Sequence, residues 1–253
     1  MGEYSEALSF YDKALKILQK ALPPNYPGMA TSYNNIASVY VNMGEYLEAV
    51  SLYEKALEIR QKTLPPNHPS LATSYNNIAS VYDNIGQYSK ARSFYEKALE
   101  IRQKSLPPNH PDLAASYNNI AAVYVNTGEY SKALSFCEKA LKILQKALPP
   151  NHPSLATSYN NIASVYDNIG QYSKARSFYE KALEIRQKSL PPNHPDLAAS
   201  YNNIAAVETV DIDEIKKHYY QSHVHINPTR IIPQGPEIDY SQPHQRDIQK
   251  YEQ

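Results

Sequence analysis

The sequence predicts an all-α protein built as an array of helical hairpins, because it repeats itself every 42 residues. Residues 64–123 and 148–207 are identical, which indicates duplication of an 84-residue pair of units. A period of about 20–50 residues is typical of stacked supersecondary units, each of which contacts only its neighbours. The block Tyr-Asn-Asn-Ile-Ala begins at five positions with this step: Tyr33, Tyr75, Tyr117, Tyr159 and Tyr201.

Each unit is predicted to begin with an amphipathic helix. In the unit that starts at Pro69, proline fits the first helical turn, where its missing N–H costs nothing. Apolar residues then recur at three- and four-residue steps as far as Tyr82, which places them on one helix face. Gly86 is expected to end this helix by adopting a positive φ.

A second helix is predicted to follow from Tyr88. Tyr95 and Leu99 share its apolar face, while the charged residues between them are solvated. Pro107 is expected to close the helix, because proline and the residue before it disfavour helical continuation. One unit is therefore two antiparallel helices joined by a short turn.

Both ends of the repeat are irregular. The chain opens with a lone second helix over about residues 3–20, which suggests a truncated gene model or a fragment. A final first helix begins near Pro195 and is expected to be disturbed near Val207, where the repeat stops. The predicted organisation is an array over 1–207, made of one second helix, four full units and a truncated first helix, followed by a non-repeat tail over 208–253.

Recurring large and small residues carry a family resemblance: Tyr75, Ile78, Ala79, Tyr82, Gly86, Tyr88, Ala91, Tyr95 and Ala98. Their order resembles the tetratricopeptide repeat. The 42-residue length, the Asn-Asn pair and the preceding His-Pro are similar to the kinesin light chain subtype. The resemblance implies a right-handed superhelical solenoid that acts as a non-catalytic peptide- or protein-binding scaffold, with cargo adaptation as its specific form.

The same resemblance implies a concave groove in which an Asn of each first helix bonds the backbone of an extended peptide. A carboxamide both donates and accepts, so it can hold a chain without selecting its sequence. The alternative is an amide ladder that bonds neighbouring repeats to one another. The candidate groove residues are Asn35, Asn76, Asn77, Ser80, Asp83, Asn84, Asn119, Asn161 and Asn203.

The expected groove lining contains no Lys or Arg. Relatives that bind a C-terminal carboxylate or acidic tryptophan-containing peptides use basic residues there, so neither ligand class carries over. A neutral or mildly basic peptide fits better, given Asp83 and Asp167.

Composition narrows the function classes. Lys+Arg and Asp+Glu balance at 25 each, so no net field favours nucleic acid or an anionic membrane. Neither a membrane span nor a signal peptide is evident, which makes the cytoplasm the expected location. The repeats contain no nucleotide loop or catalytic constellation, so we expect no enzyme activity, no cofactor, no metal and no small-molecule substrate.

Two residue types invite a site interpretation. A histidine recurs at 42-residue steps, at His68, His110, His152 and His194. Helix entry explains it better than a metal site, since copies in neighbouring units lie about 10 Å apart while zinc holds its ligands at about 2 Å. Cys137 stands where other units carry a tyrosine and is expected to be a small buried residue.

The tail changes composition and carries a second resemblance. The segment Lys217-His218-Tyr219-Tyr220 and the 40 or so residues around it resemble the extreme C-terminus of the glutathionyl-hydroquinone reductases. That resemblance implies a tyrosine near the substrate, here Tyr219, and an alternative function as a fragment or fusion derived from such an enzyme. No thioredoxin-like segment with a Cys-Pro accompanies it. A short helix over 211–221 and irregular, partly disordered chain from Asn227 onward are predicted.

Overall fold

A computed structural model describes residues 2–23 and 26–223. These residues form helices and no strand, which confirms the all-α array of hairpins. The predicted irregular chain from Asn227 onward lies outside the described residues. The ten helices are α1 Gly2–Ala21, α2 Pro27–Met43, α3 Tyr46–Thr63, α4 Pro69–Asn84, α5 Tyr88–Ser105, α6 Pro111–Asn126, α7 Tyr130–Ala147, α8 Pro153–Asn168, α9 Tyr172–Ser189 and α10 Pro195–His223.

The helices pair as predicted. The even-numbered helices α2 to α8 are the first helices of units one to four, and each packs against the helix that follows it. The isolated second helix α1 packs against α2. Each second helix also contacts the first helix of the next unit, so the packing runs from one unit to its neighbour.

The recurring histidines begin the first helices α4, α6, α8 and α10, whereas Tyr26 precedes α2. His68 Nδ1 accepts a hydrogen bond from the Ser70 N–H at 3.2 Å, and Pro69 occupies the first helical turn. An N–H of the first turn has no partner within the helix, so the imidazole satisfies it. The same bond recurs at His110, His152 and His194, which confirms the helix-entry interpretation.

Glycine ends each turn between the paired helices because the backbone there is left-handed. Gly86 has a φ of +75°, and a Cβ added to it would meet no atom within 4 Å. The backbone angle, not lack of space, therefore requires glycine. Equivalent angles of 74° to 80° occur at Gly44, Gly128 and Gly170.

The last first helix differs from the prediction. The expected disturbance near Val207 is absent, because α10 runs unbroken from Pro195 to His223 and includes the segment predicted as a separate short helix. Ile212 stands where the other units carry their left-handed glycine, so nothing ends the helix there. Val207 is 2% exposed and packs with Ala163 and Tyr179, as its counterparts do in earlier units.

The clusters of the apolar core extend across the boundaries between units. One cluster contains Ala79 and Ala91 of the second unit, Ile120 of the third and Ile162 of the fourth, all nearly inaccessible to solvent. Alanines where helices approach closely, beside large residues such as Tyr95, allow the helices to interlock.

A partly buried polar bond links most neighbouring units. Arg102 Nη1, at the end of α5, donates to Ser116 Oγ of α6 at 2.6 Å. Burial lowers the pKa of the Arg102 guanidinium. The same bond joins Arg60 to Ser74 and Arg186 to Ser200.

The chain divides into two units, residues 1–211 and 212–253. The boundary predicted from the sequence, between 207 and 208, stays a prediction. Among the described helices, none combines the length and apolar character that a bilayer span requires.

Candidate functional site

The Asn-Asn pairs of successive first helices are joined by hydrogen bonds. Asn77 Nδ2 of α4 donates to Asn34 Oδ1 of α2 at 3.0 Å. Asn119 repeats this bond with Asn76 at 2.8 Å, and Asn203 repeats it with Asn160 at 3.0 Å. The inter-repeat ladder that the sequence left open is therefore present at these three junctions.

The ladder does not use up the hydrogen-bonding capacity of these amides. A carboxamide offers two N–H donors and one acceptor oxygen, and each ladder bond uses one donor of one amide and the acceptor of the other. Asn76 and Asn77 are both half-buried, as is Asn35. A role in holding a peptide backbone is compatible with the ladder and stays a prediction.

The other predicted groove residues contact one another across units. Asn126 Nδ2 donates to Asp83 Oδ1 at 3.2 Å. Burial raises the pKa of the Asp83 carboxyl, and the Asn126 bond opposes this. Ser80 hydrogen-bonds the buried Tyr95, while Asn84 is exposed.

The surface that α2, α4, α6 and α8 form is here called the first-helix surface. The helices α2, α4, α6 and α8 contain no Lys or Arg. Asp83 and Asp167 lie near the C-terminal ends of α4 and α8, and both are partly exposed. These four helices thus present a neutral to mildly acidic surface, and their role as the lining of a peptide groove stays a prediction.

One junction departs from the regular pattern. No hydrogen bond joins Asn161 of α8 to Asn118 of α6, and Asn118 Oδ1 is buried without a partner among the described residues. A cleft of about 180 Å³ lies between α6 and α8 at this place, and both amides line it. Sequence reasoning selected Asn161 but missed Asn118, although the exceptional Cys137 in the same unit was a signal.

Cys137 lines the same cleft. It is 2% exposed, which confirms the prediction of a small buried residue in place of tyrosine. Burial raises the pKa of its thiol to about 12, and the nearby Glu138 carboxylate acts in the same direction. A thiol with such a pKa is almost fully protonated at neutral pH and is a poor nucleophile or metal ligand.

Tyr219 lies in the C-terminal part of α10, and its side chain is outside the described part of the chain. The role suggested by the tail resemblance therefore stays a prediction.

Hairpins of 42 residues, helix-ending glycines and an amide-linked first-helix surface define a helical-repeat scaffold. The chain belongs to the tetratricopeptide repeat family, whose model matches residues 1–62, 28–104, 112–188 and 169–222.

Solved structures identify the subtype that the chain is similar to. A Podosopora anserina putative kinesin light chain with nearly identical TPR-like repeats is 30% identical, with a TM-score of 0.66 over 74% of this chain and 89% of that one. The fold is also that of BtubC (BKLC) from P. vanneervenii, at 24% identity and a TM-score of 0.68 over 94% of this chain and 96% of that one. The kinesin light chain-like resemblance is confirmed.

The tail resemblance is also found. Glutathionyl-hydroquinone reductase YqjG of Escherichia coli (strain K12) is 54% identical over 41 residues in the C-terminal region. The match covers 16% of this chain and 12% of the reductase.

Proposed function

We propose that this protein is a non-catalytic, cytoplasmic scaffold that binds an extended peptide of a protein partner along its first-helix surface, in the manner of a kinesin light chain-like adaptor. The observation that carries the proposal is the row of half-buried amides on this surface, each with unused hydrogen-bonding capacity. An extended backbone presents alternating N–H and C=O groups, which such amides can match.

The charge of the first-helix surface restricts the class of peptide that it can bind. The helices α2, α4, α6 and α8 carry no Lys or Arg, so an acidic peptide would find no counter-charge on them. Asp83 and Asp167 favour a neutral or mildly basic peptide. No nucleic acid, membrane or small-molecule substrate is proposed as a partner.

The test starts from a random peptide library displayed on phage and selected on the full chain. The affinity of a selected peptide is then measured by fluorescence polarisation for the triple variant with Asn77, Asn119 and Asn161 each changed to Ala. We expect binding to be abolished, with only a small fall in the melting temperature from loss of the two ladder bonds that Asn77 and Asn119 donate.

A matched control removes three exposed polar groups from the second helices, by changing Ser93, Ser135 and Ser177 to Ala. We expect this control to bind as well as the wild type. If the Asn triple variant instead unfolds at a much lower temperature than the control, the ladder is structural and the proposal loses its main support.

The alternative is an oxidoreductase or transferase origin, which the 41-residue match to YqjG supports. The chain spans about an eighth of that enzyme's length, so its activity is not proposed for this protein. We take the tail as related to the C-terminal region of such an enzyme.

A further inference from the structure

Several exceptions to the repeat pattern lie at one junction, between the third unit (α6 and α7) and the fourth (α8 and α9). Two buried side-chain atoms lack a hydrogen-bond partner within the described part of the chain, Asn118 Oδ1 and Ser158 Oγ, and both lie here. Cys137 and Leu144 of α7 replace the tyrosine and arginine of the α5 and α9 helices.

The cleft at this junction occupies space that tyrosine fills elsewhere. Tyr95 and Tyr179 are each 5% exposed at the position of Cys137 and hydrogen-bond Ser80 and Ser164, respectively. In the third unit Ala122 stands in place of that serine. The aromatic ring and its hydroxyl partner are thus missing together, and a cleft of about 180 Å³ remains.

The lining of the cleft is uncharged and mainly apolar, and its polar residues are Asn118, Asn126, Asn161 and Ser164. Ala122, Val125 and Cys137 contribute apolar surface, and Val125 replaces the aspartate found at this position in α4 and α8. Asn118 and Asn161 are uncoupled here, whereas the equivalent amides at other junctions satisfy each other. An acceptor and a donor are therefore left for a ligand.

We propose that this cleft is a binding pocket for a tyrosine side chain of the peptide partner. The inference rests on the proposed function and specifies which peptides the surface selects.

Three observations favour tyrosine. The second and fourth units hold Tyr95 and Tyr179 in the equivalent space, so the shape of a tyrosine side chain suits the residues that line the cleft. The volume is adequate for an aromatic ring, since an apolar cavity of about 150 Å³ binds benzene. A phenolic hydroxyl both donates and accepts, which matches the uncoupled amides of Asn118 and Asn161.

The first test needs no peptide. The tyrosine side-chain analogue 4-methylphenol is titrated into the full chain at millimolar concentrations and followed by NMR of the Val125 and Val165 methyl groups, which line the cleft. We expect saturable shifts in the wild type. Absence of saturable shifts would overturn the proposal.

A filled variant provides the matched comparison. Cys137→Tyr combined with Ala122→Ser recreates the residue pair that Tyr95 and Ser80 form in the second unit, so the fold tolerates it. We expect binding of 4-methylphenol at least about tenfold weaker in this variant, with a cooperative thermal transition retained. Equal binding in the filled variant would place the probe elsewhere and overturn the assignment.

Leu144→Arg is the control, because it restores the regular side chain at the same junction without lining the cleft. We expect it to bind 4-methylphenol as the wild type does. Loss of binding equal to that of the filled variant would mean that the junction as a whole, not the pocket, is responsible.

Selected peptides separate this proposal from the proposed function. If the pocket is correct, binders of the wild type are enriched in tyrosine and lose affinity for the filled variant. Selected peptides could instead lack an aromatic residue, or carry an aliphatic one in its place, and bind the wild type and the filled variant equally. That result would overturn the pocket and leave the scaffold proposal intact. A failure to select any peptide, with 4-methylphenol still bound, would instead count against the scaffold proposal.

Discussion

At the scale of single residues, the partly buried arginine–serine bonds show how one side chain joins two units. The Arg102 guanidinium is partly withdrawn from water and donates to the Ser116 hydroxyl, which itself donates to the Asp112 carbonyl at 3.0 Å. At the junction between the third and fourth units, here called the third junction, Leu144 replaces the arginine and leaves the Ser158 hydroxyl unpaired. Equivalent serines therefore have different energetic roles.

We expect Ser116→Ala to lower the free energy of unfolding by about 1.5–3 kcal/mol, since a partly buried cationic donor loses its acceptor. Ser158→Ala should leave the free energy unchanged or raise it slightly, because no hydrogen bond is lost and a buried unpaired hydroxyl is removed. Urea unfolding of the two variants measures this. Equal losses would contradict the assigned bonds.

Cys137 predicts a pH dependence. The folded state raises its pKa from the ordinary value of 9.0 to about 12, so the folded chain holds the thiol proton more tightly than the unfolded chain. The stability that this contributes is fully present below about pH 9 and is lost as the pH rises toward about 12. Unfolding free energies at several pH values in this range should therefore fall more steeply for wild type than for Cys137→Ala. Parallel curves for the two proteins would contradict a buried protonated thiol. The pKa of Tyr95 is also raised, but Tyr95 is present in both proteins and its effect cancels in the comparison.

At the scale of the helices, local signals set the ends and packing sets the stability. His68 and Pro69 begin α4, and Gly86 ends the turn after it, all through backbone requirements within a few residues. The helices themselves are stabilised mainly by burying one face against neighbours, since short isolated helices are marginal in water. A core leucine and a surface leucine should therefore respond very differently to truncation.

Leu99 of α5 is 8% exposed, whereas Leu47 of α3 is 74% exposed. We expect Leu99→Ala to reduce the free energy of unfolding by roughly 2–5 kcal/mol, through lost burial and the cavity left behind. The control Leu47→Ala should change it by less than about 0.5 kcal/mol. A loss under about 0.5 kcal/mol for Leu99→Ala would mean that Leu99 lies outside the core.

At the scale of the whole molecule, stability depends on what each unit contacts. In a repeat array the total is a sum of unit stabilities and nearest-neighbour interfaces. Helices α4 and α8 have identical sequences but different neighbours, because α4 receives the Arg60 bond and α8 faces Leu144. A comparison of α4 with α8 therefore separates the effect of the interfaces on stability from the intrinsic helix preference of the sequence.

We expect backbone amides of α8 to exchange with solvent faster than the same amides of α4, measured by residue-resolved NMR hydrogen exchange because peptides from the two identical helices have the same mass. The third junction lacks both the arginine–serine bond and the amide bond of the ladder. Leu144→Arg should reduce the difference in exchange rate between α8 and α4, because it restores the arginine–serine bond. Equal protection in the wild type would show that the missing bonds carry no local stability.

The tail predicts a negative enzymatic result for the full chain. Glutathione-dependent reduction requires an activated thiol, and the single cysteine of the sequence, Cys137, is buried with a pKa of about 12. We expect no glutathione-dependent turnover of a quinone by residues 1–253. Measurable turnover that disappears in Tyr219→Phe would overturn this expectation and favour the enzyme-derived alternative.

The sequence determined the fold because its signals are local and repeated. Proline and histidine at helix starts, glycine at turns and apolar residues at helical spacing act over a few positions, and each copy reinforces the others. The same reasoning failed at α10. The sequence repeat stops before Glu208, and we expected the helix to be disturbed there, but the helix continues to His223. Glu208 instead pairs with Arg176 at 3.0 Å, and Ile212 supplies no helix stop.

The candidate site depended on tertiary structure, because its contacts join residues about 43 positions apart. Which amide of each pair bonds the neighbouring unit, and that Asn118 and Asn161 do not bond, follows from how adjacent first helices are placed. From the sequence, Cys137 was an isolated exception to a pattern. Only the packing of α6, α7 and α8 combined it with Ala122 and the unpaired amides into one cleft, since a cavity is a property of the space between elements and not of any single segment.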